Sequence, residues 1–310
     1  MTLAAEDFAE RRRLRRSRTF WRVTTIIALA LATIAVVWRV GDTFGGAATP
    51  HIARVDIEGV IGTDERMLAM LGRIAEDDDV AAVVVHIDSP GGTAVGGEAH
   101  YAALREIAEA KPLVAQVSTL AASAGYMVAA AADHIVARNT SIVGSIGVIV
   151  QVPNVSELLD RIGVEVRSIK SAPLKAEPSP FDPITPADEA MMQRMVDDSY
   201  AWFVELVAER RAFDEATALR LADGSVFSGR LALENGLIDS LGGEDAVKAA
   251  LAAREIDVDL PILRYEPERE ERGFLSILAS RIPALGGMVR DVQRLVPLDG
   301  MVALWQGPPR

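Results

Sequence analysis

The chain has 310 residues, half of them hydrophobic, with no cysteine and a formal net charge of −12. This length and apolar content suffice for one large or two modest domains with a hydrophobic core. The missing cysteines exclude disulfides, thiolate metal sites and cysteine nucleophiles, and the acidic body argues against nucleic-acid binding.

The first predicted element is an N-terminal membrane anchor. Residues 1–22 carry seven arginines against three acidic residues, and 16 uncharged residues separate Arg22 from Arg39. Such a run is just long enough to span a bilayer when its flanks snorkel. A cleaved signal peptide is the alternative, because GGAATP at 45–50 contains a small-residue cleavage pattern. Either way the arginines stay inside, and residues from about 41 onward face outside the cytoplasm.

These features divide the chain into five predicted parts. They are a basic cytoplasmic segment (1–22), a transmembrane helix (23–40), a linker (41–52), a main domain (53–265) and a C-terminal extension (266–310). Within the extension, residues 273–296 carry an apolar stripe at helical spacing, typical of a core or oligomer-contact helix. A helix lying on the membrane surface is the alternative interpretation.

The main domain alternates strand-like and helix-like patterns. Strands are predicted over 54–62, 81–92, 112–117, 134–138, 141–151, 164–169 and 259–264. Helices are predicted over 66–78, 94–110, 123–133, 154–161, 186–210, 214–222 and 243–253. Strands that alternate with helices form parallel βαβ units, so we expect an α/β fold around a parallel sheet.

A serine stands where the third strand runs into an alanine-rich helix. In STLAASAGYM (118–127), Ser123 is surrounded by small residues. It is either the N-cap of the helix or a nucleophile that needs a base. A G-x-S-x-G elbow is absent because position 121 is alanine. His86 lies within a predicted strand and His134 begins one, so both are expected to be structural and a Ser-His-Asp triad is poorly supported.

A lysine is the alternative base. The chain has four lysines against 28 arginines, and arginine cannot release its proton at a useful pH. Lys111 and Lys248 are predicted to be solvated. Lys170 and Lys175 share the proline-rich loop SIKSAPLKAEPSPFDP (168–183), whose restricted backbone can hold an amine in place. A lysine becomes a base when burial lowers its pKa, whereas an ordinary loop lysine stays protonated, and both interpretations remain open here.

Backbone amides are the predicted source of oxyanion stabilisation. DSPGG (88–92) places a glycine turn at the end of a strand, and ligands of parallel sheets collect at those ends. The amide that follows the nucleophile can join such a turn. The predicted oxyanion and substrate-binding residues are Gly91, Gly92, Ala124, Gly125 and Ser145.

Taken together, these segments resemble the signal peptide peptidase A (SppA) family of membrane-bound serine proteases. The resemblance covers about residues 54–265. It rests on IDSPGG (87–92), AASAGYMVAAAAD (121–133), SIVGSIGVI (141–149), KSAPLKAEPSPFDPITPAD (170–188) and ADGSVFSGRLALENGLID (222–239). It implies a single-domain, ClpP/crotonase-like fold of repeated β-β-α or βαβ units, and peptide cleavage by a Ser–Lys dyad.

Carried over residue by residue, Ser123 matches the nucleophile and Lys175 the general base, whereas Lys170 matches a lysine that is not catalytic. Gly91 matches the preferred oxyanion donor. The chain has Ala124 where the family often has glycine. An alanine still offers its backbone N–H to an oxyanion. It has Met127 where the family often has an aromatic residue, which is expected to alter the substrate pocket.

The resemblance further implies a bacterial inner-membrane enzyme with its catalytic domain on the extracytoplasmic side. Its substrates would be remnant signal peptides or other membrane-associated peptides, with no cofactor and no metal. It would form a ring of identical subunits in which serine and lysine meet across protomers, although an intramolecular site would serve equally. The alternatives are a crotonase-like acyl-CoA enzyme, a non-catalytic membrane scaffold, and a protease with one defined protein substrate.

Overall fold

The computed structural model of the chain describes residues 21, 24–34 and 49–268, together with the backbone of 302–304. The chain divides into two compact units, Met1–Thr49 and Pro50–Arg310. In the first unit, residues 24–34 are helical (α1), and their apolar side chains are largely exposed.

No helix within the described part of the chain is long and apolar enough to cross a membrane. Much of the predicted span over 23–40 lies outside the described residues, as does the predicted apolar stripe over 273–296.

The second unit combines one mixed sheet with eight helices among its described residues. The strands are β1 (His51–Ile61), β2 (Val80–Thr93), β3 (Leu113–Ala122), β4 (His134–Ala137), β5 (Ile142–Gly144), β6 (Val226–Ser228), β7 (Ser240–Leu241), β8 (Ile262–Tyr265) and β9 (Val302–Leu304). The helices are α2 (Glu65–Glu76), α3 (Ala94–Ala110), α4 (Ala124–Ala130), α5 (Ser156–Ile162), α6 (Pro186–Arg211), α7 (Glu215–Leu221), α8 (Gly229–Glu234) and α9 (Glu244–Ala252).

The sheet is mostly parallel. Its main path runs β6-β5-β3-β2-β1-β8, with β4 and β7 continuing beside β3, and β9 beside β2. Only two of its strand pairs are antiparallel, β5 with β6 and β2 with β9. The predicted α/β fold with a mainly parallel sheet is therefore confirmed.

The core lies on one face of this sheet. Alternate β1 side chains such as Val55 and Ile57 point into it, where they meet buried residues of α2, α3, α4 and α6. The opposite face carries a smaller cluster in which Val84 and Val114 pack against α9. All seven residues of α4 are buried, so the helix that follows Ser123 is embedded in the core.

Two predicted strands differ from the structure. The segment 164–169 forms no strand, because nothing in the described chain pairs with it, and Val164 and Val166 are exposed. The strand predicted over 141–151 is limited to Ile142–Gly144. In the other direction, β3 continues to Ala122, beyond the predicted 112–117.

Candidate active site

Ser123 occupies a strained position between β3 and α4. Its φ of 55° and ψ of −120° lie in a region that a serine rarely adopts. Such a conformation costs about 1–3 kcal/mol and persists only where the surrounding structure holds it. Here the Ser123 N–H donates to Gly144 O at 2.8 Å, which ties the turn to the end of β5. A nucleophile on a sharp strand-to-helix turn has its side chain presented at the end of the sheet.

The side chain of Ser123 does not cap the helix. Ser123 stands at the N-cap position, yet its Oγ makes no capping hydrogen bond and no hydrogen bond to any other described residue. Its backbone carbonyl accepts instead from the N–H groups of Tyr126 and Met127, both at 2.9 Å. The N-cap explanation of this serine is therefore wrong, and its hydroxyl is free to react.

The first amides of α4 are also free. The N–H groups of Ala124 and Gly125 donate no hydrogen bond within the described residues, as expected for the first turn of a helix. Helix N-terminal amides attract negative charge. These two predicted residues therefore lie next to Ser123, with donors available for an oxyanion.

The end of β2 presses against this helix start. A Cβ added at Gly125 would lie 2.8 Å from the carbonyl oxygen of Ser89, so only glycine fits without a shift. At Gly92, an added Cβ would lie 1.8 Å from Ile61 O. The glycines of both motifs thus permit close backbone approach around Ser123.

Ser89 holds the glycine turn. Its fully buried hydroxyl donates to Gly59 O at 2.7 Å and accepts from the Gly91 N–H at 3.1 Å. The Gly91 amide is therefore directed at Ser89 Oγ in this conformation, a contact that the sequence did not reveal. The role of Gly91 and Gly92 in the oxyanion site stays a prediction.

The turn also carries a strand-binding edge. Gly91 and Gly92 pair on one side with β1 and on the other, antiparallel, with Leu304 and Ala303 of β9. Upstream, that second edge belongs to β3, which runs directly into Ser123. An extended peptide paired on this edge would therefore pass Ser123, and β9 pairs there in this structure.

Ser145 lies directly after β5, the strand whose last residue bonds to the Ser123 amide. It follows Gly144, the residue that accepts the Ser123 amide, and has a φ of 50°. Its N–H donates to Ser225 O at 2.7 Å, which anchors the chain as it leaves β5. The structure thus brings Ser145 close to Ser123 through the backbone.

Lys175 makes no hydrogen bond to Ser123 among the described residues. It is exposed on the loop before α6, and its amine makes no hydrogen bond or ion pair with any described residue. Its backbone N–H closes a turn with Ala172 O at 3.1 Å. The pairing of Lys175 with Ser123 therefore stays a prediction.

The other lysines are engaged or remote. Lys170 forms an ion pair with Glu177, and this hydrogen bond raises the pKa of Lys170, so the amine stays protonated. Lys111 was expected to be solvated, which is wrong: its Nζ donates to Ile74 O at 2.9 Å and to Asp77 O at 2.6 Å, at the end of α2. Lys248 is exposed, as predicted.

The histidines have structural surroundings. His86 lies in β2 with its Nδ1 3.6 Å from Asp56 Oδ1, and His134 begins β4 with its Nε2 2.9 Å from Ser240 Oγ. Burial lowers the pKa of His134. None of the four histidines bonds to Ser123, and the described residues include no cluster of three or more His, Asp or Glu suited to a metal ion.

Comparison with known proteins identifies related peptidases. The model of peptidase family S49 matches residues 105–259. A Synechocystis protein described as a candidate protease is 38% identical over 219 residues, 70% of this chain and 79% of that protein. An Enterococcus faecium protein described as a candidate signal peptide peptidase SppA is 32% identical over 249 residues, 74% of this chain and 71% of that protein. Among solved structures, a mutant of the membrane-bound stomatin-specific protease 1510-N covers 71% of this chain and 99% of its own, at 15% identity and a TM-score of 0.47.

Proposed function

The chain belongs to peptidase family S49, and we propose that it is a membrane-anchored serine endopeptidase with Ser123 as nucleophile and Lys175 as general base. One observation carries the assignment of the nucleophile. Ser123 is held in a strained backbone conformation with a hydroxyl that bonds to nothing in the described chain, beside two unbonded helix N-terminal amides. Membership of a peptidase family favours this function over a crotonase-like acyl-CoA enzyme.

The proposed reaction proceeds through an acyl-enzyme. The neutral amine of Lys175 takes the proton from Ser123 Oγ as the oxygen attacks the carbonyl carbon of the scissile peptide. The amides of Ala124 and Gly125, with the glycine turn of β2, stabilise the oxyanion. The ammonium of Lys175 then gives its proton to the leaving amine. A water molecule then gives a proton to Lys175 and attacks the ester carbon, and the lysine returns this proton to Ser123 Oγ as the ester bond breaks.

We propose that Lys175 reaches Ser123 of a neighbouring copy in a ring-shaped homo-oligomer. The support is that neither side chain has a partner in its own described chain. The segment leading to Lys175 also exposes several apolar side chains, which a neighbouring copy can cover. These are Ile162, Val164, Val166, Ile169 and Leu174.

The substrate and location follow from the N-terminal sequence and the relatives. We propose that the arginine-rich segment and the uncharged run after it anchor the protein in the bacterial inner membrane, with the catalytic domain outside the cytoplasm. The proposed substrates are remnant signal peptides or other membrane-associated peptides. The name of the Enterococcus relative supports this choice.

The test uses full-length protein in detergent and a fluorogenic peptide with an apolar residue before the scissile bond. Ser123→Ala and Lys175→Ala should both abolish cleavage, whereas Lys248→Ala, at an exposed lysine on α9, should not. Co-assembly of the two inactive variants should restore activity at about a quarter of the sites if the dyad forms between neighbours in a closed ring. Cleavage retained by Ser123→Ala would refute the assigned nucleophile. Inactive single variants with no restoration of activity on mixing would leave the protease assignment in place and refute only the shared site.

A further inference from the structure

The loop that carries Lys175 is closed at its base by an ion pair. The amine of Lys170 contacts Glu177 Oε1, and the two side chains are only 19% and 12% exposed. The second carboxylate oxygen of Glu177 accepts the N–H of Ser179 at 2.7 Å. One carboxylate thus joins both ends of the loop, with Lys175 between them.

Apolar packing does not hold this loop. Leu174, next to Lys175, is 41% exposed, and Ile169 at the start of the loop is fully exposed. A cavity of about 630 Å³, lined by Pro178 and by Val196 among others, lies between the end of the loop and α6. The loop is therefore held by polar contacts, of which the Lys170–Glu177 pair is the one that spans it.

The surroundings of Lys170 keep it charged. The hydrogen bond to Glu177 raises the pKa of Lys170, and the nearby carboxylates of Asp182 and Asp188 add to this. Asp188 is itself fixed, because it accepts from the hydroxyl of Thr185 at 2.7 Å in the capping box that starts α6. The charges that act on Lys170 thus include a carboxylate at the beginning of α6.

We infer that Lys170 and Glu177 form a clamp that positions Lys175 for catalysis. This inference rests on the proposed role of Lys175 as the base. A lysine on an unrestrained loop samples many conformations, and catalysis falls steeply when a reacting group is misplaced by even 1 Å. Lys170 and Glu177 are therefore positioning residues: they touch neither substrate nor nucleophile, and they act through the loop that presents Lys175.

The test compares the steady-state kinetics of full-length variants. Lys170→Ala and Glu177→Ala should each lower kcat by about 10- to 100-fold, with KM little changed, because only the alignment of the base is lost. Lys170→Arg, which keeps a cation facing the carboxylate, should retain most of the activity. The exchange Lys170→Glu with Glu177→Lys should recover part of what either charge reversal alone loses.

The outcomes separate the clamp from the proposed function. Wild-type kcat in both alanine variants, with Lys175→Ala inactive, would overturn the clamp and leave the enzyme assignment. A Lys170→Arg variant as inactive as Lys175→Ala would overturn it too, because Lys170 would then be needed as a base. Cleavage retained by Lys175→Ala would refute the proposed base itself. If the alanine variants unfold, as judged by circular dichroism, Lys170→Arg and Glu177→Gln decide. Full activity of Lys170→Arg with a reduced kcat of Glu177→Gln supports the clamp. A similar change of both kcat and KM in the two variants opposes it.

Discussion

Replacement of Gly125 by alanine tests whether the start of α4 is set for catalysis. The added Cβ would lie 2.8 Å from Ser89 O and 3.2 Å from Ser89 Cβ, about 0.6 Å short of an ordinary 3.4 Å contact with the backbone oxygen. Because that neighbour is backbone, α4 or the end of β2 has to move. Overpacking of this kind costs about 1–3 kcal/mol of stability. A displacement of half an ångström at the oxyanion amides should lower kcat by about tenfold.

The matched control is Gly72→Ala in α2, where an added Cβ meets no atom within 4 Å. Alanine is favoured over glycine inside a helix, so this control should gain about 0.5–1 kcal/mol and keep its activity. The sign of the stability change therefore separates the two sites. Chemical denaturation gives the free energy of unfolding, and peptide cleavage gives kcat. A Gly125→Ala enzyme with wild-type kcat would refute the view that this helix start is fitted to the oxyanion.

Three further outcomes are expected. Lys175→Arg should be as inactive as Lys175→Ala, because a base and not a charge is required; cleavage retained by the arginine variant would contradict a lysine base. Deletion of residues 301–310 should raise kcat/KM for a peptide substrate, since β9 leaves the edge beside Ser123; unchanged kinetics would contradict competition for that edge. Tyr126→Phe removes a buried hydrogen bond of 2.8 Å to Leu237 O and should lower the free energy of unfolding by about 1–2 kcal/mol, with kcat nearly unchanged. A large fall in the kcat of the folded variant would show that Tyr126 also acts in catalysis.

The sequence predicted the framework of the site because strands, turns and helix starts depend on neighbouring residues. The apolar run of β2 ends in glycines, and the small residues around Ser123 permit a tight turn into α4. They permit the strained φ of Ser123 without requiring it, so that conformation could not be predicted. The alternation at 164–169 is typical of a strand, but a strand also needs a partner, and none of the described segments pairs with it.

Contacts between distant residues explain the remaining differences. Lys111 looked solvated because its acceptors, the carbonyls of Ile74 and Asp77, stand more than 30 positions earlier in the chain. The pairing of Lys170 with Glu177 depends on the turns between them, including a positive φ at Ala176. Spacing along the sequence does not reveal such a fold of the loop. The fold of the loop also separates the two lysines: one is paired and held as a cation, and the other is left unpaired.

The two residues of the proposed dyad differ in burial and in how firmly the fold holds them. Ser123 is 2% exposed and is fixed by β3, β5 and the buried helix α4. Lys175 is exposed on a loop held mainly by polar contacts. A nucleophile of this kind is pre-organised at a cost in backbone strain that the core must offset. The base that we propose lies, in contrast, on a loop where its own described chain leaves it uncovered. We therefore propose that assembly completes the site, with a neighbouring subunit placing Lys175 beside Ser123.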